Sequence, residues 1–99
     1  MPSNQPPAAI RDDTVICRST DVLSAGVGAE TVMMTVDTGY YYGLDDIGSE
    51  IWQRLETPRK FSELVDSLVA DYDADRAVIA EDVRMLLTDM AAHGVLRFD

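Results

Sequence analysis

The chain has 99 residues, of which 46% are hydrophobic and 26% are charged, as in one small globular domain with a modest core. Eight basic and eighteen acidic residues give a net charge of -10, which disfavours nucleic acids and anionic membranes because their phosphates would be repelled. Signal-peptide and membrane-spanning patterns are absent from the sequence, and the single cysteine cannot form an internal disulfide. We therefore expect a cytoplasmic protein.

The N-terminal half of the chain has strand signals. Residues 1–13, which include three of the four prolines, are expected to form a flexible tail before a folded domain at 14–99. β-Branched residues broken by glycines then predict strands at about 14–18, 22–27 and 30–37. Gly26 and Gly28 mark a hairpin bend, so the three strands are expected to form an antiparallel meander.

The C-terminal half has helical periodicity, which predicts helices at about 45–57, 61–72 and 75–93. Asp45 or Asp46 would cap the first helix and Asp75 the third, which would end at His93 and Gly94. The main apolar stripes of the helices supply core residues, namely Trp52, Leu55, Leu68 and Leu87. The fold class expected from this order is α+β, with three helices packed against a three-stranded antiparallel sheet.

The side chains needed for catalysis are scarce, because the chain has one histidine and one cysteine. His93 suits a helix C-terminus and Cys17 suits a buried strand position, so no catalytic residue is assigned. Asp71, Asp73 and Asp75 have the spacing that opens a calcium loop. However, an arginine replaces the glycine of that loop's bend, which favours a polar turn without metal, and no cofactor is implied.

The third helix carries a second apolar strip. At 100° per residue, Val78 and Met85 lie outside the core stripe and beside Asp82 and Asp89. The strip could be scattered surface residues, but we interpret it as one wall of a groove. A DNA-binding helix is disfavoured, since its two arginines are mixed with acidic residues and form no basic stripe.

The third strand is expected to form the opposite wall of this groove. Its apolar residues occur on both faces: Val32, Met34 and Val36 lie on one face, and Met33 is expected on the opposite face. At a sheet edge, the free N–H and C=O groups of this strand would accept an extended peptide as an added strand. The predicted peptide-binding residues are Glu30, Thr31, Val32, Met33, Met34, Thr35 and Val36 on the strand and Val78, Asp82, Met85, Leu86 and Asp89 on the helix.

The stretch from Val32 to Trp52 resembles the PqqD-like family, the leader-recognition domains of ribosomally synthesised, post-translationally modified peptides. Its most specific part is Tyr41-Tyr42-Gly43-Leu44 followed by Ile51-Trp52, and the resemblance covers about residues 14–98. It implies a winged helix-turn-helix-like fold without catalytic activity. It also implies that a leader peptide pairs with the third strand and packs against the third helix.

The chain differs from the pyrroloquinoline-quinone members before the third strand, where Gly28-Ala29-Glu30-Thr31 replaces their Pro-Glu-Arg-type segment. It is more similar to the small stand-alone proteins of lasso-peptide clusters. That resemblance implies three partners: a precursor leader, a separate leader peptidase and a macrolactam-forming cyclase. The alternatives are a chaperone for another modified peptide, such as a pyrroloquinoline-quinone or radical-SAM product, and a winged-helix regulatory or interaction protein.

Overall fold

The structure, a computed structural model, describes residues 10–99, in which four short strands precede the first helix. Residues 1–9 of the tail predicted at 1–13 lie outside the described residues, whereas Ile10 is buried and belongs to the core. The strands are β1 (Val15–Arg18), β2 (Val22–Val27), β3 (Glu30–Thr35), β4 (Tyr41–Leu44), β5 (Arg59–Lys60) and β6 (Leu96–Phe98). The helices are α1 (Asp46–Arg54), α2 (Phe61–Tyr72) and α3 (Arg76–Ala92). The α+β class is confirmed.

The strands form two antiparallel sheets of three, ordered β5-β1-β6 and β2-β3-β4. The predicted meander is therefore wrong in one member, because the strand expected at 14–18 pairs with β5 and β6. Its place beside β3 is taken by β4, which lies in the aromatic run that follows Gly39. Gly39 has a φ of 70° and its N–H donates to Thr35 O at 2.8 Å, which turns the chain back along β3.

The pairing of β3 corrects a second expectation. Residues Thr31 to Met34 face β2 on one side and β4 on the other, so β3 is the central strand of its sheet. The strand predicted at 30–37 is consequently not an edge, and a peptide cannot add along Thr31 to Val36 while β4 is in place. Thr35 N–H also donates to Tyr40 O at 3.1 Å. A Thr35→Pro substitution would therefore remove a hydrogen bond within the sheet and would not test peptide binding.

The two faces of β3 are also the reverse of those predicted. Met33 is 1% exposed and lies in the core, whereas Val32 is 39% exposed. Val36 is also exposed and follows the end of the strand. The inward face packs against α1, where a flexible methionine side chain fills the available space. The buried face of β3 was predicted wrongly because the outer face of this strand is also apolar.

The helices begin and end close to the predicted positions. Asp45 accepts the Gly48 N–H at 2.9 Å and Asp75 accepts the Ala77 N–H at 2.9 Å, as expected of N-caps. His93 is the C-cap of α3, and Gly94 follows with a φ of 79°. The polar turn before α3 serves structure, since Asp71 forms a salt bridge with Arg54 and Asp75 caps the helix.

The core lies between the helices and the inward faces of the strands. The four predicted core residues are confirmed as buried, and Cys17 is buried as well. Burial and a contact with the Asp99 carboxylate raise the pKa of the Cys17 thiol. No helix in the described range of 10–99 is long and apolar enough to cross a membrane.

Candidate functional site

β4 forms an unpaired edge of the β2-β3-β4 sheet. This edge lies towards α3. Within residues 10–99, β4 pairs with β3 alone. The hydrogen bond from Thr35 N–H to Tyr40 O fixes which residues of β4 point their backbone groups towards β3. Because these groups alternate along an antiparallel strand, Tyr42 and Leu44 face β3, and the N–H and C=O groups of Tyr41 and Gly43 point to the open edge.

Tyr42 connects this edge to the C-terminal end of α3. Its hydroxyl donates to Asp89 Oδ2 at 2.8 Å, and its ring stacks on the His93 imidazole with the ring centroids 4.3 Å apart. His93 Nδ1 is in turn 2.9 Å from the backbone oxygen of Asp89. The three side chains form a bridge that sets the separation between β4 and α3, and therefore the width of a groove along the open edge.

The pKa of Tyr42 is raised from its ordinary value of 10.0, chiefly by burial and then by its hydrogen bond to the Asp89 carboxylate. The hydroxyl therefore remains a donor at physiological pH. Since the pKa is higher in the folded chain than in the unfolded chain, the resulting stability is fully present below pH 10.0 and is lost as pH rises above it.

Tyr42→Phe is expected to lower the free energy of unfolding by about 0.5–1.5 kcal/mol at neutral pH, because the hydroxyl contact with Asp89 is lost while the ring stack remains. Urea denaturation of both proteins from about pH 7 to about pH 11 measures the difference. The difference should shrink in the alkaline range, because the tyrosine of the unfolded wild-type chain ionises there while the folded one stays protonated. A difference that does not change with pH would show that folding does not raise the pKa of Tyr42.

The exposed strip of α3 lies next to this bridge. Val78, Asp82, Met85 and Asp89 are all exposed, and Met85 is one turn before Asp89 on the same side of the helix. The prediction that Val78 and Met85 lie outside the core is confirmed, with exposures of 56% and 64%. A shallow depression of about 580 Å³ runs along this side of α3, lined by Glu81, Arg84, Met85, Thr88, Asp89 and Ala92.

A second hollow lies at the start of β4 and the end of α3. It has a volume of about 730 Å³, and its walls include Asp21, Asp37, Tyr41, His93 and Arg97. Ala92 lines both hollows, so the two are adjacent, with the Tyr42 bridge beside them. Together they offer aromatic and apolar surface bordered by carboxylates, which suits an extended peptide better than a compact metabolite.

The structure brings together only part of the predicted site. The four residues of the α3 strip share one exposed side, and Leu86 is half-buried against the core. The β3 residues are separated in the sheet from the open edge by β4, and two of them, Thr31 and Met33, are buried. Sequence reasoning missed β4 as a wall, although three consecutive tyrosines after a glycine turn are typical of a short strand.

Comparison with known proteins identifies a matching family and similar curated proteins. The family model described as "Coenzyme PQQ synthesis protein D (PqqD)" matches residues 30–96. PqqA binding proteins of Rhodopseudomonas palustris strains BisB5 and HaA2 are 44% and 42% identical over 52 residues. In each case the match covers 52% of this chain and 51% of the relative, so the chain spans about half the length of the curated relatives it matches.

Solved structures extend the similarity over most of the fold. TbiB1, in complex with the TbiA(beta) leader peptide, matches with a TM-score of 0.76 and 37% identity, covering 82% of this chain and 94% of that chain. The PqqD truncation of Methylobacterium extorquens PqqCD, a stand-alone RiPP recognition element, has a TM-score of 0.76 at 22% identity. That match covers 94% of this chain and 99% of that one and shows the same fold.

The family match at 30–96 contains both sides of the groove, since β4 and α3 fall inside it. It also contains the Tyr42, Asp89 and His93 bridge. The match covers more than half of the 99 residues, and the structural match to TbiB1 covers 82% of the chain at 37% identity. The chain therefore belongs to the PqqD family and has the fold of a RiPP recognition element.

Proposed function

We propose that this protein is a non-catalytic binding module that holds the leader region of a ribosomally synthesised precursor peptide. The leader pairs with the open edge of β4 and packs against the exposed strip of α3. The observation that carries this proposal is the combination of a free strand edge with an exposed apolar strip on the helix beside it. The pairing strand is β4 rather than the strand at 30–37, because β3 already has a neighbour on each side.

Backbone pairing supplies part of the binding energy. An added strand can exchange hydrogen bonds with Tyr41 and Gly43, each worth about 0.5–1.5 kcal/mol net. Four such bonds do not offset the ordering of a flexible peptide, so side-chain contacts are required. Alternate leader side chains would point towards α3, where Met85 offers an adaptable apolar surface. Asp82 and Asp89 border that surface and favour leader residues that carry basic groups.

The comparisons support a peptide ligand. TbiB1 has a leader peptide bound in its solved structure, and the Rhodopseudomonas palustris relatives are PqqA binding proteins. The residues shared with the family include the β4 edge and α3. These similarities favour a precursor peptide over DNA as the ligand of the groove.

In this proposal the protein works in the cytoplasm, where precursors are made, and delivers the bound leader to a separate leader peptidase and a macrolactam-forming cyclase of a lasso-peptide pathway. The resemblance to small stand-alone lasso proteins supports this pathway. The local similarity to PqqA binding proteins favours a second candidate, a chaperone for a pyrroloquinoline-quinone type of precursor. Both candidates use the same groove.

Titration of fluorescently labelled leader peptides from both pathway types, followed by anisotropy, tests the proposal. Saturable binding of the lasso-type leader is expected, with weaker binding of the PqqA-type leader. A gel shift with duplex DNA at low salt tests the winged-helix alternative. DNA binding without binding of either leader would contradict the proposed function.

Met85→Ala is expected to weaken leader binding by about 1–2 kcal/mol, the scale of one partly buried apolar side chain. Thermal stability should stay near that of the parent because the side chain is 64% exposed. Met85→Glu should weaken binding more, since it places an unpaired charge against an apolar leader residue. The measurement is anisotropy of labelled leader together with a melting curve. Reduced melting temperature with intact binding would show that Met85 supports the fold and that the groove lies elsewhere.

A further inference from the structure

The outer face of the β2-β3-β4 sheet is apolar and has no cover among the described residues. Residues directly opposite each other in an antiparallel sheet share a face, and the register pairs Leu23 with Met34 and Met34 with Tyr41. It also pairs Ala25 with Val32. The outer face is therefore formed by Leu23, Ala25, Val27, Val32, Met34 and Tyr41, which we call the outer patch.

Five of these six side chains are exposed, and Met34 is half-buried. Leu23 is 60% exposed, Val27 is 61% exposed and Tyr41 is 75% exposed. On the opposite face of β2, Val22 packs against the core and is followed by Ser24 and Gly26. Leu23, Ala25 and Val27 are therefore directed away from the core. A contiguous apolar surface of this kind marks an interaction site more often than scattered exposed residues do.

The charge around the outer patch has one sign. Residues 19–53, which include the whole of this sheet, contain no lysine or arginine. The same segment contains six acidic residues: Asp21, Glu30, Asp37, Asp45, Asp46 and Glu50. Glu30 pairs with Val27 at one end of the patch, and Asp21 lies two residues before Leu23 at the other. An apolar surface with an acidic border complements an apolar surface with a basic border.

We propose that the outer patch docks the leader peptidase through an apolar surface that is flanked by lysine and arginine. This inference rests on the proposed function, because it assigns the enzyme that receives the leader to a second surface of the same domain. A second copy of the chain fits poorly, since two acidic borders and net charges of -10 would repel. Nucleic acids and anionic lipids are repelled for the same reason.

The position of the patch suits delivery. β4 belongs to both surfaces, because its open edge borders the groove and its outward side chain Tyr41 lies on the patch. β2 is at the opposite side of the sheet. Tyr41 and Asp21 also line the second hollow, so the two surfaces adjoin there. An enzyme centred on the β2 side of the patch would lie beside the leader and could reach the segment that leaves the end of β4. Leader and peptidase should therefore bind at the same time.

The test uses the full chain, the purified leader peptidase and a labelled leader peptide. Leu23→Ser combined with Val27→Ser removes two patch side chains on β2, away from the β4 edge. Tyr72→Ser is the matched control, because Tyr72 is also an exposed hydrophobic residue, at 48%, but lies at the end of α2. Biolayer interferometry measures peptidase affinity, anisotropy measures leader affinity, and light scattering measures the oligomeric state.

The double variant is expected to lose at least about tenfold in peptidase affinity, as for truncation of hot-spot residues, while leader affinity and the Tyr72→Ser control stay near the parent. Raising the salt concentration should slow peptidase association. The inference would be overturned by unchanged peptidase affinity in the double variant, by no peptidase binding to the parent, or by a parent dimer that the double variant dissociates. Loss of leader binding in the double variant would also overturn it, by showing that the patch belongs to the leader site. Failure of the parent to bind any leader would contradict the proposed function instead, since docking is measured separately.

Discussion

Leu87→Ala should lower the free energy of unfolding by about 2–5 kcal/mol, the range for removing a large aliphatic side chain from a packed core. Leu87 is fully buried on the inner side of α3, among residues from the helices and the strands. The truncation leaves a cavity that the surrounding side chains fill only in part. Chemical denaturation followed by circular dichroism measures the change.

Met85→Ala is the control for this experiment, because the same helix then loses an apolar side chain that faces solvent. The two variants should separate the faces of α3: Leu87→Ala should lose stability, and Met85→Ala should lose leader affinity. A Leu87→Ala protein as stable as the parent but unable to bind leader would show that the faces had been assigned the wrong way round.

Gly43→Pro should reduce leader affinity by about tenfold or more, because it removes an N–H from the open edge and places the proline ring where the leader backbone would lie. The Gly43 N–H points away from β3, so the sheet keeps its own hydrogen bonds. An edge strand tolerates proline at such a position. Anisotropy of labelled leader measures the affinity, and a melting curve verifies that the variant is folded.

Gly43→Ala is the matched control, since it keeps the N–H and its added methyl group would meet no atom within 4 Å. Its leader affinity should remain within about twofold of the parent, as for a substitution that removes no contact. Equal affinity of a folded Gly43→Pro protein and the Gly43→Ala protein would place the leader away from the β4 edge. Tyr41→Pro repeats the test at the other outward N–H.

The helices could be predicted well because their signals are local. The position of each helix follows from the spacing of its apolar residues, from an aspartate that caps its start, or from a glycine that ends it. Each of these signals involves residues that are close together in the chain. Leu87 and Met85 were placed on opposite sides of α3 by angle alone. The exposed strip of that helix could therefore be predicted from the sequence.

The strand partners could not be predicted in the same way, because pairing depends on contacts that are distant in the chain. Val15–Arg18 has the composition of a meander strand, but its partners are Arg59–Lys60 and the C-terminal strand. The β4 segment is only four residues long, and it lies outside the three strands predicted from the sequence. A prediction that omits β4 makes β3 the edge strand. It therefore places the groove one strand away from its position in the structure.

The faces of β3 were misassigned for a related reason. Alternation identifies two faces but does not say which one is buried when both carry apolar residues. Val32 and Met34 contribute to the outer patch, whereas Met33 contacts the core. The surface that we infer for a second partner is thus the same feature that made the buried face difficult to identify.

Amide hydrogen exchange at Tyr41 and Gly43, measured by NMR with and without the leader peptide, is the most direct test of leader binding at β4. Both N–H groups point to the open edge, so their exchange should be fast in the free protein and much slower in the complex. The Tyr42 N–H, which faces β3, should change little. Saturating leader that leaves the exchange of Tyr41 and Gly43 unchanged would contradict strand addition at β4.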